Sequence, residues 1–392
     1  MSKRIILVEQ NRDILKKLTQ LFDQSPYKTV IFESAEKALL YLDEHPVDMV
    51  VSNVRMCVME GAELLRKVKE RFPETLRVAM GTSRDSALIY SALEENLAKM
   101  YLLEPWDDEA FLCLMEHSFQ FEDALKSKEL LEFINNMEDL PTVPTLYTNI
   151  SAMISQDEDM EKIAALIESD QTTSAKILRI GNSAFFGKKT GSIKQAMMFI
   201  GLSNVKNIVL ASSVFVMHGK LKEAISDLWE HSTLTNRFTN LFYQRFLKKK
   251  LPTIFASAGL LHNIGMVALL RHNNQTYSTF IKDVESYDSN YQMKEKELFG
   301  ISHQDVGGYL LNWWDLPSPI VEAAMFHHDP MNNRIVNSEL VKVVHISNIL
   351  AWMSMKSDYL PNDHFVSECC ESLGLDLNEV YDYFEELNKE TA

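Results

Sequence analysis

Residues 50–66 read VVSNVRMCVMEGAELLR. Met49, Val50 and Val51 form an unbroken apolar run, as in a strand buried on both faces. Asn53 follows at the end of that run, and Gly61–Arg71 takes up helical spacing. The same alternation extends in both directions. Upstream, Arg4–Val8 (RIILV) is a short apolar run. Asn11–Phe22 carries Ile14, Leu18 and Leu21/Phe22 at helical intervals, Val30–Phe32 is a second run, and Ala35–Leu42 is helical. Downstream come a run at Leu76–Met80, a helical stretch at Ser86–Leu97, and a fifth run at Met100–Leu103 that Pro105 stops. Five strands alternating with helices predict an α/β, doubly wound parallel sheet of the flavodoxin-like kind.

Strand signals fade after Trp106. Asp107 and Asp108 open a helix with acidic residues where its dipole favours them, and the pattern runs to about Glu138. Phe111, Leu114, Phe121 and Leu125 lie near a 3.5-residue seam, but Ser118 and Lys128 break it, so a plain amphipathic helix is expected rather than a coiled coil. Leu140–Pro144 (LPTVP) punctuates the chain. Helices are then expected at Met160–Ile167, Ser174–Ile180, Gln195–Ile200, Val205–Val216, Leu228–Phe246, Ile254–Leu270 and onward to Leu377–Leu387. The expected organisation is multidomain: 1–122, a helical linker over 123–138, and an all-α domain over 139–392.

The chain has 392 residues, 46% of them hydrophobic, and a formal net charge of −16. That surface repels phosphate backbones, which argues against a nucleic-acid partner. Cys57, Cys113, Cys369 and Cys370 form no C-x-x-C pair and are expected as free thiols. The N-terminus lacks a charged-then-apolar leader, and no run reaches the ~18 apolar residues of a membrane span. A cytoplasmic location without membrane insertion is the expectation.

Aspartyl phosphorylation needs a carboxylate nucleophile, acidic ligands for a hard cation, and a positive charge for the phosphoryl oxygens. In a doubly wound sheet these sit at the carboxyl ends of the strands. There this sequence places Glu9 and Gln10, then Asn53, then Gly81 and Thr82, and finally Tyr101 and Glu104. Through ILVEQN, VVSNVRMCVMEGAELLR and YLLEPWD, the first half resembles the receiver domain of bacterial response regulators. The resemblance implies two acidic metal ligands in the first motif, a phosphoacceptor Asp in the second and a Lys before the Pro in the third. Glu9 and Gln10, Asn53, and Glu104 stand in those places. The Thr or Ser of the family falls on Gly81, with Thr82 one residue away, and Tyr101 matches the family's switch aromatic. Asn53 has no carboxylate to phosphorylate, and Glu104 would repel a phosphoryl group. A pseudo-receiver without its phosphoacceptor is expected.

The second half resembles the HDOD domain, a helical module related to HD-type phosphohydrolases. It does so through LPTVPTLYTNI, IAALIESDQTTSAKILRIGNSAFFG, SIKQAMMFIGLSNVKNIVL, AGLLHNIGMVALL and ISHQDVGGYLLNWWDLPSPIVEAAMFHH. In the related hydrolases a His, a His-Asp pair and a later Asp hold metal, and subfamilies add further histidines. The positions that match are His231, His262, Asn263, His303, His327, His328 and Asn348. Both carboxylates are amides here, and a neutral amide oxygen is a weaker ligand. His327 and His328 are adjacent, so on a helix they diverge by about 100° and one of them is expected to face the cluster. Phe185 and Phe186 are expected to pack.

These readings give a bacterial signal-transduction protein of the two-component type that is not an enzyme and needs no cofactor. Its partners are other proteins or a second copy of itself. The alternative is a divalent-metal-dependent phosphohydrolase, or a cyclic-nucleotide-binding sensor, built on the residual histidines.

Overall fold

The computed structural model describes residues 3–23, 25–56, 59–137, 144–182, 190–215, 222–283, 291–356 and 364–391. Cys57, Leu140–Val143, Phe185 and Phe186 lie outside them. The chain divides into two compact units that part near Gln120.

The first unit alternates β1 (Arg4–Val8), α1 (Arg12–Asp23), β2 (Lys28–Phe32), α2 (Ala35–Glu44), β3 (Met49–Asn53), α3 (Gly61–Arg71), β4 (Leu76–Thr82), α4 (Ser86–Glu94), β5 (Met100–Glu104) and α5 (Asp108–Leu125). All strand pairs are parallel, in the order β2-β1-β3-β4-β5. Ile5–Val8 and Met49–Val51 are fully buried, as the continuous apolar runs required. The chain reverses its direction of winding between β1 and β3, which opens a crevice at their carboxyl ends. The register pairs Val8 with Ser52, Asn53 with Met80, and Thr82 with Glu104, so the candidate residues line one edge. Helix α4 stops three residues before the predicted Leu97. Asn96 takes a left-handed φ of 53°, and the N–H groups of Leu97 and Ala98 both turn back to the Ala92 carbonyl.

The second unit is helical. After α5 the chain breaks at Ser127, which opens α6 (Lys128–Asn135), so the single helix expected to about Glu138 is two. Next come α7 (Thr145–Ser155), α8 (Met160–Glu168), α9 (Gln171–Gly181), α10 (Ile193–Ile200), α11 (Leu202–Val214) and α12 (Lys222–Arg245). Then follow α13 (Ala258–Leu261), α14 (Ile264–His272), α15 (Asn274–Asp283), α16 (Tyr291–Phe299), α17 (His303–Trp313), α18 (Ser318–Phe326), α19 (Ser338–Met355), α20 (His364–Ser372) and α21 (Leu377–Thr391). Local chemistry sets several starts. Asp170 accepts from the Thr173 N–H at 2.6 Å, and Ser302 with Asp305 forms a capping box on α17.

The segment read as one helix over Ile254–Leu270 is broken between Leu261 and Ile264. His262 folds its ring back onto the carbonyl of Gly259, which occupies an acceptor at the end of α13, and Asn263 begins α14. Helix α12 packs along α19, and α14 along α17. The second contact is very close: a Cβ on Gly265 would lie 1.8 Å from the His303 carbonyl oxygen. Trp314 is buried at the end of α17, whereas Trp313 beside it is 50% exposed. Among the described residues no single helix is long and apolar enough to cross a membrane, and Cys113, Cys369 and Cys370 form no disulfide.

Candidate functional site

Two polar sites stand out, one at the sheet edge and one inside the helical unit. At the sheet edge, Glu9 is almost wholly buried, so its charge needs partners. Its Oε1 accepts from the backbone N–H of Gln10 and Asn11 at 2.7 and 2.8 Å. Its Oε2 accepts from the Nδ2 of Asn53 at 2.7 Å. The Oδ1 of Asn53 in turn accepts from the Arg55 N–H at 2.9 Å. An amide is a carboxylate with one oxygen exchanged for a donor. It can therefore bond directly to a carboxylate, where a second carboxylate would need a cation between them.

Asp85, which sequence reasoning missed, completes this site. It accepts from the Thr82 hydroxyl at 2.7 Å, the Thr82 N–H at 3.0 Å and the Arg55 Nε at 2.7 Å. Those bonds, the Thr82 hydroxyl first, hold its carboxyl below the ordinary value. Thr82 is thus engaged as a cap on the turn into α4. Gly81 admits Asp85 because it has no side chain: a Cβ there would lie 3.2 Å from that of Asp85. Glu104 is pushed above its usual value, by burial first and then by Glu9 and Asp85. Its Oε1 is buried without a partner. Gln10 is half-buried beside Glu9, and the Tyr101 ring stands edge-on to Tyr90 at 6.1 Å. The pocket holds Glu9, Asp85 and Glu104 against one mostly exposed guanidinium, Arg55. Such a field disfavours a phosphoryl group.

In the helical unit, His231, His262, Asn263, His303, His327, His328 and Asn348 are all buried. Their rings form a chain: His231 to His262 at 5.4 Å, His262 to His327 at 4.8 Å, and His327 to His303 and His328 at 5.2 and 4.3 Å. Both His327 and His328 join the cluster, against the expectation that one would. Helix α18 ends at Phe326, so the helical divergence does not apply to them. His231 is also stacked on Trp352 at 3.9 Å. Burial holds His231, His327 and His328 well below the usual histidine value, and neighbouring imidazoles add to this; burial brings His262 to about 4.

Second partners fix the tautomers. A carbonyl oxygen only accepts, so His262 carries its proton on Nδ1, 2.7 Å from the Gly259 oxygen, and His327 on Nδ1, 3.0 Å from the Ala324 oxygen. The Nδ1 of His303 donates to Glu295 at 2.8 Å. Glu295 also accepts from the backbone N–H of His303 at 2.8 Å and from the Tyr277 hydroxyl. His345 sends its Nδ1–H to the carbonyl of His327 at 2.7 Å. Sequence reasoning missed Glu295, Tyr277 and His345. Only His345 left a signal, three residues before Asn348 in one motif.

The Nε2 atoms then behave in two ways. That of His262 lies 3.1 Å from the side-chain oxygen of Asn348, while the Asn348 Nδ2 is buried without a partner. Exchanging the amide's two ends turns two facing acceptors into an N–H donated to His262, so the amide closes this contact by itself. The Nε2 atoms of His303 and His327 face each other at 3.3 Å with both Nδ1 positions already protonated. Two lone pairs at that distance require a proton or a cation between them. Two nitrogens about 2.0–2.1 Å from one tetrahedral ion stand about 3.4 Å apart. The ring nitrogens of His303, His327 and His328 all lie within 4.8 Å of one another. This donor set fits one borderline cation. It lacks the carboxylate that bridges a pair of ions in a hydrolytic centre.

The family model of the response regulator receiver domain matches residues 5–115, and that of the HDOD domain matches residues 140–330. An uncharacterized protein of Treponema pallidum (strain Nichols) is 24% identical over 202 residues, which cover 50% of this chain and 39% of that protein. The heme response regulator HssR of Staphylococcus saprophyticus is 35% identical over 81 residues, 21% of this chain and 35% of that one. The chain thus spans under two fifths of the length of these curated relatives. A solved HDOD domain protein of unknown function from Geobacter sulfurreducens is similar in fold, with a TM-score of 0.50 and 23% identity, covering 69% of this chain and 96% of that one.

The chain therefore carries a receiver domain followed by an HDOD domain. That fusion is the architecture of a signalling protein.

Proposed function

We propose that this is a non-catalytic signalling adaptor whose receiver acts without aspartyl phosphorylation. In it the HDOD domain presents a binding surface to a protein partner or to a second copy. The observation that carries the reading is the 2.7 Å bond from Asn53 to Glu9, which uses the would-be acceptor position and a would-be metal ligand to satisfy each other. Glu104 adds repulsion where a cation would be needed. Intact-mass analysis after incubation with acetyl phosphate and magnesium tests it. No mass gain is expected, and a stoichiometric, hydroxylamine-labile phosphoryl adduct overturns the reading.

A second reading follows from the facing Nε2 atoms. His303, His327 and His328 would hold one divalent cation of the zinc or iron class. Such an ion supplies Lewis acidity toward an anionic ligand. The chain's own part is to keep the lone pairs inward, through Glu295 behind His303 and the Ala324 carbonyl behind His327. Metal content per chain on tag-free protein decides it: one ion, lost in His303→Gln, is expected. A metal-free protein would remove this reading without touching the first.

A further inference from the structure

The helical unit also contains a cavity of about 1100 Å³ that the histidine cluster does not enter. The end of α10, the start of α11, the middle of α12 and the segment after α12 line it. Helix α13 lies between the two sites: Leu260 lines the cavity, while His262, two residues on, belongs to the cluster.

Its charge is opposite to that of the molecule. Arg179, Arg237, Lys248, Lys249 and Lys250 line it, with Glu230 as the acid. Glu230 sits 3.8 Å from Arg179 at an exposed position. Lys249 is paired with Glu339 at 2.7 Å. Arg237 differs from these, because its Nε and Nη2 are buried and have no partner. Those two atoms form one edge of the guanidinium, with parallel N–H bonds spaced for two oxygens of an oxyanion. A buried charged donor left unsatisfied is costly, so the site is built for something that answers it.

Two further features agree. Helix α11 starts at Gly201, which has a φ of 85° and no side chain, so no side chain caps the first N–H groups of a thirteen-residue helix at the cavity wall. Asn204 in that first turn gives its Nδ2 to the Ile200 carbonyl at 3.0 Å, but its Oδ1 is buried without a donor. Thr233, Asn236, Asn240, Gln244 and Ser257 add polar groups to the wall, and Phe199, Leu251 and Met198, which is 63% exposed, give it an apolar side.

We propose that this cavity binds an organic phosphate of nucleotide size, its oxyanion on Arg237 and the start of α11, a hydroxyl or amine on Asn204, and its apolar body against Met198 and Phe199. The volume suits such a ligand and exceeds what an inorganic anion fills. The site needs neither the receiver pocket nor a metal, so it stands or falls apart from both readings above.

The test is fluorescence titration of the full chain with trinitrophenyl-ATP, with competition by pyrophosphate. Saturable binding displaced by pyrophosphate is expected. It should weaken at least about tenfold in Arg237→Met, which keeps the stem and removes the charge-assisted bonds. Asn204→Asp gives a second variant: an acid in the first turn favours the helix but repels the anion, so binding should fall while the melting temperature holds. No saturable binding, or binding that pyrophosphate does not displace, overturns the proposal. So does equal affinity in well-folded Arg237→Met or Asn204→Asp.

Discussion

The Nδ2 of Asn53 donates to the Oε2 of Glu9 across 2.7 Å. The pair sits at the carboxyl ends of β3 and β1, where the sheet's winding reverses. In the helical unit the side-chain oxygen of Asn348 lies 3.1 Å from His262 Nε2, and exchanging the two ends of that amide gives the same relation. In both places an amide N–H answers an acceptor that a carboxylate could face only across a cation. That common exchange makes the following consequences measurable.

Asn53→Asp replaces a donor with an acceptor against a buried carboxylate. The variant should lose about 1–3 kcal/mol of stability in metal-free buffer. Millimolar magnesium should restore part of the loss, because the two carboxylates can then share an ion. Thermal unfolding with and without magnesium reads this. The unmodified chain should show no such dependence at this site.

Gly265→Ala should be among the most damaging small substitutions. The added methyl would lie 1.8 Å from the His303 carbonyl oxygen and 2.7 Å from the Gly307 nitrogen, both backbone atoms. Helices α14 and α17 must separate to admit it, at a cost of about 3 kcal/mol or more. Denaturant unfolding should show a lowered midpoint, and any metal held by His303 should be lost with it.

Glu295→Gln removes the anionic acceptor that His303 and Tyr277 share. Loss of such a supporting carboxylate typically weakens metal binding about 10–100-fold. Titration of zinc against a competing chelator measures it. Unchanged affinity would show that Glu295 serves packing alone.

Glu322 gives the protein one pH dependence. Burial raises its carboxyl from 4.5 to about 7, although the Asn337 N–H at 2.7 Å and the Val336 N–H at 3.2 Å favour the ionised form. The folded chain therefore holds a proton that the unfolded chain has lost. This contribution is full below about pH 4.5 and falls as pH rises towards 7. Glu322→Gln removes that slope and should be more stable than the parent at pH 8, by about 1–3 kcal/mol. Urea unfolding at pH 5 and pH 8 compares the two.

The desolvated histidines give the opposite sign. His231, His262, His327 and His328 stay neutral in the fold below the pH at which they charge in the unfolded chain. Their contribution is present above pH 6.5 and is lost as pH falls, at up to about 1.4 kcal/mol per pH unit for each. Metal-free protein should unfold steeply between pH 6 and pH 5. His231→Asn should make that transition shallower by about one proton.

Much of this was legible in the sequence alone. Buried parallel strands are continuous apolar runs, so Arg4–Val8 and Met49–Val51 announced themselves with no knowledge of their neighbours. The exchange of carboxylate for amide at Asn53, Asn263 and Asn348 was equally plain, because it is a matter of residue identity. Tertiary structure decided the rest. It ended α18 at Phe326 and so brought both His327 and His328 into the cluster. It brought Glu295 behind His303, Asp85 beside Thr82, and an unanswered Arg237 into a cavity. The physical reason is that a side chain's partners are fixed by segments far away along the chain. Periodicity reports which face of an element is apolar, but not which polar atoms meet once those faces are buried.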